Sequence, residues 1–399
     1  MHTPYGHLTY CTNIHAGESW ADHFRSVREV VPGIKAAVSP EAPFGLGLRI
    51  SGAASSDLLN DPQALPALKK WLQENDCYVF TLNGFPYGGF HGTRVKDSVH
   101  KPDWTTDERV DYTIRLARIL AELLPEGLEG GISTSPLSYV FWHEETERPG
   151  VVRQATDNLL RVVAALIRLR AETGKWIHID IEPEPDGLLG NGPDFFEWYE
   201  NILLPQGINY LRQTVGGTPQ EAEAQIKEYV QLCYDVCHFA VGFEDHAQVV
   251  ERLRRLGIRT GKIQISAALK ASFTQGSEAA VLDAFRPFNE STYLHQVLAR
   301  GSDGAVRSYA DLPEALASGA TEGEWRAHFH VPIFLDGYGL LQSTRTDIEA
   351  VLRLHREQPF TRHLEVETYT WEVLPPELKG PLGPSITREL QWVQEVLRG

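Results

Sequence analysis

The chain has 399 residues, 42% hydrophobic and 23% charged, the balance of a globular protein. A net charge of −16 disfavours nucleic acid as a partner. No apolar run is long enough to span a bilayer, and four cysteines are too few for a disulfide framework at this length.

In chain order, short strand patterns alternate with amphipathic helical patterns. Strands are predicted at LTYCTNIH (8–15), FGLGLRIS (44–51), YVFTLN (78–83), GISTS (131–135), WIHIDIE (176–182), QLCYDVCH (231–238), KIQISA (262–267) and HLEVETY (363–369). Helices are predicted at 62–75, 106–124, 152–174, 246–257 and 345–358, with a last one over SITRELQWVQEVL. Asp107 and Asp347 suit first turns, and Gly174 and Gly257 suit C-terminal caps. Eight strands interleaved with helices predict an α/β fold, a (β/α)₈ TIM barrel, in one domain over 1–399. The stretch 270–344 breaks the rhythm. It contains a hairpin pattern, TYLHQVLARGSDGAVRSYADL, and a further strand-like run, HFHVPIFL (328–335), and is read as an elaborated insertion after the seventh strand. Cys233 and Cys237 fall on one predicted strand, about 13 Å apart at strand rise. They are therefore expected to be separate buried thiols. The start, MHTPYGHLTYCTNIH, has neither the basic nor the apolar region of a signal peptide, so a cytoplasmic location is expected.

Side chains on a strand alternate between its faces. Over 176–182, Ile177, Ile179 and Ile181 share one face, and His178, Asp180 and Glu182 the other. Leu46, Leu48 and Ile50 oppose Arg49 and Ser51, Ile263 and Ile265 oppose Gln264 and Ser266, and Leu364 and Val366 oppose Glu365 and Glu367. A helix follows each strand, so the apolar face is needed for helix packing and the polar face must look inward. Inward polar residues at strand C-termini are the material of an active site in this fold. The acids of 180–184 are accordingly expected to line a pocket.

Four strand ends supply a candidate metal set: Glu182, Asp235, Gln264 and Glu367, with His238 beside Asp235. Three carboxylates and an amide carbonyl suit a hard divalent ion, Mn²⁺, Mg²⁺ or Co²⁺, with Zn²⁺ also compatible. Without a cation such carboxylates repel and take up protons.

IEPEP after the fifth strand, YDVCH ending the sixth, KIQIS in the seventh and VET in the last resemble the xylose-isomerase-like TIM barrels. That resemblance implies metal ligands on strands five to eight, with Asp235 and His238 as the D-x-x-H element. Gln264 stands where a histidine is usual. More narrowly, HLTYCTNIHAGESW, TLNGFPYGGFHG, PDW and HFHVPIF resemble the EboE proteins of a bacterial metabolite traffic operon. This implies a role in maturing or moving secondary metabolites.

Glu182 and Glu367 are the candidate catalytic bases, one on each side of a substrate carbon. Asn13, His15, Asn83, His91, His238 and His330 are candidate substrate contacts; His328 and His330 share a face and suit a metal or a substrate anion. Structural alternatives are an ion pair of Glu182 with Arg49, a turn contact for Asp235, and Glu365 as rival to Glu367. Glu184, after Pro183, reads as solvated loop. GFPYGGFHG (84–92) reads as a flexible lid carrying Phe85, Tyr87 and His91, and Phe85, Tyr87, Trp104 and Trp371 are candidates for stacking on a ring. The expected function is metal-dependent isomerisation or epimerisation of a sugar-, polyol- or hydroxyketone-like metabolite. The alternatives are a non-catalytic metabolite carrier and an endonuclease IV-like phosphodiesterase. Oligomeric state is open.

Overall fold

A computed structural model describes residues 1–399. Eight parallel strands form its centre: Gly6–Tyr10, Phe44–Arg49, Cys77–Asn83, Glu129–Thr134, Trp176–Ile181, Val230–Asp235, Thr260–Ile265 and His363–Val366. Each pairs with the next in sequence from the second strand to the eighth, and the eighth pairs with the first. A parallel bridge from Cys11 to Gly47 joins the first strand to the second and closes the cylinder. Gly47 is needed there, because a Cβ would fall 1.7 Å from Glu365 Oε1. The short strand His2–Thr3 folds back antiparallel on the first. The eight predicted strands are thus the eight barrel strands. No helix is long and apolar enough to cross a membrane.

The alternation has the expected sense. Ile177, Ile179 and Ile181 are buried in the main apolar core with Leu159 and Leu160 of the helix Arg148–Thr173. Each such side chain contributes about 1.5–3 kcal/mol on burial. Gly174 and Gly257 end their helices in the left-handed conformation, and Asp107 and Asp347 sit in first turns. The inward face is polar and paired. His178 Nδ1 lies 2.6 Å from Asp180 Oδ1, and Lys262 Nζ meets Glu365 Oε2, with all four residues within 1% of full burial. These pairs fill the barrel below its C-terminal rim. Asp180 belongs to this filling and does not reach the pocket, which corrects its expected role. Glu365, the rival of Glu367, is likewise committed to Lys262.

Several strands end earlier than their apolar patterns suggest. The first stops at Tyr10 and turns through Thr12–Ile14. The sixth stops at Asp235, which caps the helix Val236–Val241 by accepting the His238 N–H at 3.1 Å. Cys237 therefore lies on a helix, not on a strand with Cys233; both are free and buried.

Between the seventh strand and the helix Arg345–Glu357 lies a second, antiparallel sheet. Its order is Val306–Tyr309, Val297–Arg300, Glu324–Ala327, Leu269–Ser272, Leu341–Ser343 and Gly337–Tyr338. The first two form the expected hairpin. HFHVPIFL is not a strand. Its backbone bonds go to different neighbours, His328 N to Gln296 O and Val331 N to Ala267 O, so no ladder forms, and Pro332 has no N–H to donate.

Candidate metal centre

The rim of the barrel carries a buried cavity lined by Asn13, Asn83, Phe85, Phe90, Lys96, Glu182, Glu184, His238, Tyr293, His328, His330, Glu367 and Tyr369, among others. Glu182, Asp235 and Glu367 each place a carboxylate oxygen within 4.8 Å of the other two. They follow the fifth strand, end the sixth and follow the eighth. Carboxylates from widely separated parts of the chain therefore converge on one point.

Their surroundings differ. Glu367 Oε1 accepts from Asn13 Nδ2 at 2.8 Å and from Asn83 Nδ2 at 2.9 Å. Asp235 Oδ1 accepts from Ser266 Oγ at 2.7 Å besides capping its helix. Glu182 Oε2 and Asp235 Oδ2 are buried without a hydrogen-bond partner. Burial, then the charges of Glu367 and Asp235, push Glu182 well above the usual carboxylate range. Burial and Asp235 do the same to Glu367. For Asp235 burial acts upward too, but the His238 and His330 rings and the donors on Oδ1 outweigh it and hold the group low. Orphaned oxygens and mutual repulsion at one point are the signature of a set that accepts a cation. The donors present fit a hard divalent ion.

Gln264 is fully buried on the seventh strand beside Asp235 and Glu365. Its Oε1 accepts from Cys233 Sγ at 2.6 Å and its Nε2 has no partner, so its carbonyl is turned to the thiol in this arrangement.

A second group adjoins the carboxylates. His238 Nε2 and His330 Nε2 each lie near His328 Nε2, both at 3.2 Å. His328 comes with His330 from the segment that was expected to be a strand. Burial first, and then the neighbouring histidines, lowers the pKa of His328 well below the ordinary value; burial lowers that of His330 to about 4 and also lowers that of His238, in both cases against the opposing charge of Asp235.

Glu184 is not solvated loop. It is 5% exposed, lines the cavity, and lies 3.5 Å from His328 Nδ1 and 3.7 Å from His100 Nε2. Burial raises its pKa to about 8. His100, fully buried with neither ring nitrogen bonded, is held neutral by burial at about 3. Neither role is visible in the sequence, because both residues sit in irregular segments without periodicity. Tyr293 and Lys96 line the cavity for the same unadvertised reason, and Tyr369 reaches it because the eighth strand stops at Val366 and the chain turns through Tyr369–Val373.

Other candidates go elsewhere. His15 is bonded through Nε2 to the Tyr10 hydroxyl at 2.8 Å and does not line the cavity. His91 stands behind the lining, with Nε2 on the Asn13 carbonyl at 2.6 Å and Nδ1 near the Tyr293 hydroxyl at 3.1 Å. Arg49 pairs with Glu18 at 2.9 Å, not with Glu182. Phe85 lines the cavity, whereas Tyr87 bonds Glu108, Trp104 is fully buried on Thr134, and Trp371 is outside the lining. The loop 84–92 closes one side of the cavity with Phe85 and Phe90. It is strapped by buried guanidinium groups: Arg109 donates to the Gly84 and Phe85 carbonyls, and Arg49 to those of Pro86 and Gly88.

No family model matches the chain, and no curated protein matches it. Similar solved structures include the IOLI protein with a binding zinc atom (12% identity, 98% of each chain covered, TM-score 0.48). A D-tagatose 3-epimerase-like protein is similar at 11% identity, 98% of each chain and a TM-score of 0.47. The probable 3-DHS dehydratase AsbF involved in petrobactin synthesis, from Bacillus anthracis, is similar at 12% identity, over 97% of this chain and 98% of that one, with a TM-score of 0.47. Values this low assign neither an activity nor a site residue to this chain.

Proposed function

We propose that the protein is a divalent-metal-dependent isomerase or epimerase acting on a sugar-, polyol- or hydroxyketone-like metabolite. The observation that carries this reading is the convergence of Glu182, Asp235 and Glu367 on one buried point at the barrel rim. These three carboxylates would hold the ion, with Gln264 joining them if its amide turns. Bound there, a divalent cation supplies Lewis acidity toward neighbouring substrate oxygens. The rest is the work of the side chains. Glu182, with one oxygen free, takes the proton from the carbon beside the substrate carbonyl, and the C–H electron pair moves into the carbonyl system. Glu367, fixed in orientation by Asn13 and Asn83, returns a proton from the other side, and the pair moves back. No electrons are gained or lost overall. A proton returned to the opposite face of the same carbon gives an epimer; one delivered to the former carbonyl carbon, with the neighbouring hydroxyl proton passing to the former carbonyl oxygen, gives an isomer. Phe85, Phe90 and Tyr369 keep the site dry and offer apolar surface to a ring.

The motif resemblance to xylose-isomerase-like barrels and to EboE proteins supports the same reading and suggests a secondary-metabolite pathway as its setting. The test is solvent deuterium exchange. The Mn²⁺-loaded protein is incubated in D₂O with a panel of ketoses, inososes and hydroxyketones, and exchange is followed by NMR. Wild type should label the carbon beside the carbonyl of its substrate, and E182Q should not. Binding of a panel member without any exchange would instead make the protein a carrier.

A further inference from the structure

The second sheet carries a cleft of about 600 Å³ that shares no residue with the rim cavity. Its shape follows from the strand register. Arg307, Ala299, Trp325 and Ala271 are successive cross-strand partners, so they form one row on one face of the sheet. Tyr309 stands on the same face, two residues along from Arg307. Ala299 is small between two large neighbours, which leaves a trough between Trp325 and the edge formed by Arg307 and Tyr309. The turn 319–322 walls its other side.

The trough gathers donors that lack acceptors. Trp325 is fully buried, packed on Phe273 and Phe285 with ring centroids 5.0 and 5.8 Å away, and its indole Nε1 has no hydrogen-bond partner. An indole N–H can only donate, and buried donors are almost always paired. The Tyr309 hydroxyl is also buried, and its hydrogen has no acceptor, because the guanidinium of Arg307 beside it can only donate. Arg307 itself is exposed. Of the acids in the lining, Asp303 is turned to the Ala305 N–H at 3.0 Å, and Glu322 acts on Arg307 from the exposed turn.

We propose that this cleft binds a small organic acid, its carboxylate taken by Arg307, Tyr309 and the indole N–H of Trp325 and its apolar or aromatic body lying against Ala299, Val306 and Ala320. A guanidinium fork matches a carboxylate and has no such match in a neutral amide. Glu322 opposes the anion and limits its affinity. The site belongs to the insertion and not to the barrel, so it stands whether or not the rim isomerises a sugar.

The test is a titration of the full-length protein, labelled with nitrogen-15 at its nine tryptophans and held in chelator so that no metal at the rim takes the acid. W325F identifies the indole signal of Trp325. Benzoate, phenylacetate and indoleacetate are added in turn, beside benzamide and phenylacetamide. At least one acid should move the Trp325 signal saturably downfield, and the matched amide should not. R307M should weaken that binding on the order of 10–100-fold, and Y309F by less. E322Q should tighten it. Unchanged signals from the other indoles show that each variant is folded. A Trp325 signal that no acid moves, one that the amides move equally, or binding that R307M leaves unchanged or E322Q weakens would overturn the proposal.

Discussion

Asn13 Nδ2 stands 2.8 Å from Glu367 Oε1 across 354 positions of sequence, and Asn83 meets the same oxygen at 2.9 Å. Two amides from the first and third strand ends thus aim one carboxylate. Asn13→Ala should leave Glu367 in place but free to rotate. We expect Mn²⁺ affinity or turnover to fall about 10–100-fold with little change in Tm. Metal titration and kcat on the substrate found by deuterium exchange check this; unchanged values would mean the amides merely fill space.

Glu182→Gln should act in opposite directions with and without metal. Without it, one of three mutually repelling carboxylates is gone, and Tm should rise above wild type. With Mn²⁺ at a hundred times its Kd, wild type gains about 2.7 kcal/mol by mass action, and the variant should gain much less at the same concentration. Paired melts in chelator and in Mn²⁺ measure both. An equal metal-induced shift in the two proteins would remove Glu182 from the ligand set.

Glu389 gives a pH prediction away from the cavity. It is 2% exposed, its Oε1 accepts from Thr368 Oγ1 and Ile333 N, and burial raises its pKa to about 7. The unfolded carboxyl ionises near its ordinary 4.5. Between about pH 4.5 and 7 the folded state therefore holds a proton that the unfolded state has released, and stability falls as pH rises. The contribution is full below that window and lost above it, on the order of 3 kcal/mol in all. Glu389→Gln keeps the acceptor oxygen and removes the titration. Urea unfolding at pH 5 and pH 8 should show a smaller difference for the variant than for wild type.

Lys262 and Glu365 form a fully buried ion pair in the barrel filling. Lys262→Met leaves Glu365 charged and unpaired, which costs about 3–5 kcal/mol. Adding Glu365→Gln should recover much of that loss. Denaturant unfolding of the two single variants and the double variant forms the cycle, and additive effects would contradict the pairing.

The barrel was legible because its signal is local. Ile177, Ile179 and Ile181 alternate with polar residues, and a helix follows to claim the apolar face. Glu182 and Glu367 were found by that parity, and Asp235 by its place at the end of the sixth strand. The strand-to-helix switch at Asp235 was not, since YDVCH is apolar enough to continue a strand, and only the cap bond to His238 shows where it stops. Glu184 was misread for a longer-range reason. Pro183 and Pro185 mark it as loop, but its burial comes from the second segment, where Gln296 reaches the Pro185 carbonyl across 111 positions. No pattern near Glu184 records that contact. The helix Trp20–Val38 carries Pro32 in its interior, which obscures its period. His15, just past the first strand, and His91, in the 84–92 loop, show the converse error, polar residues whose nearest partners satisfy them structurally.

The filling of the cylinder by Lys262, Glu365, His178 and Asp180 makes it a cup with a sealed floor. Anything converted at the rim has to depart by the mouth through which it came. Reactant and product then share the C-terminal side of the barrel, and accumulated product should slow the forward reaction competitively.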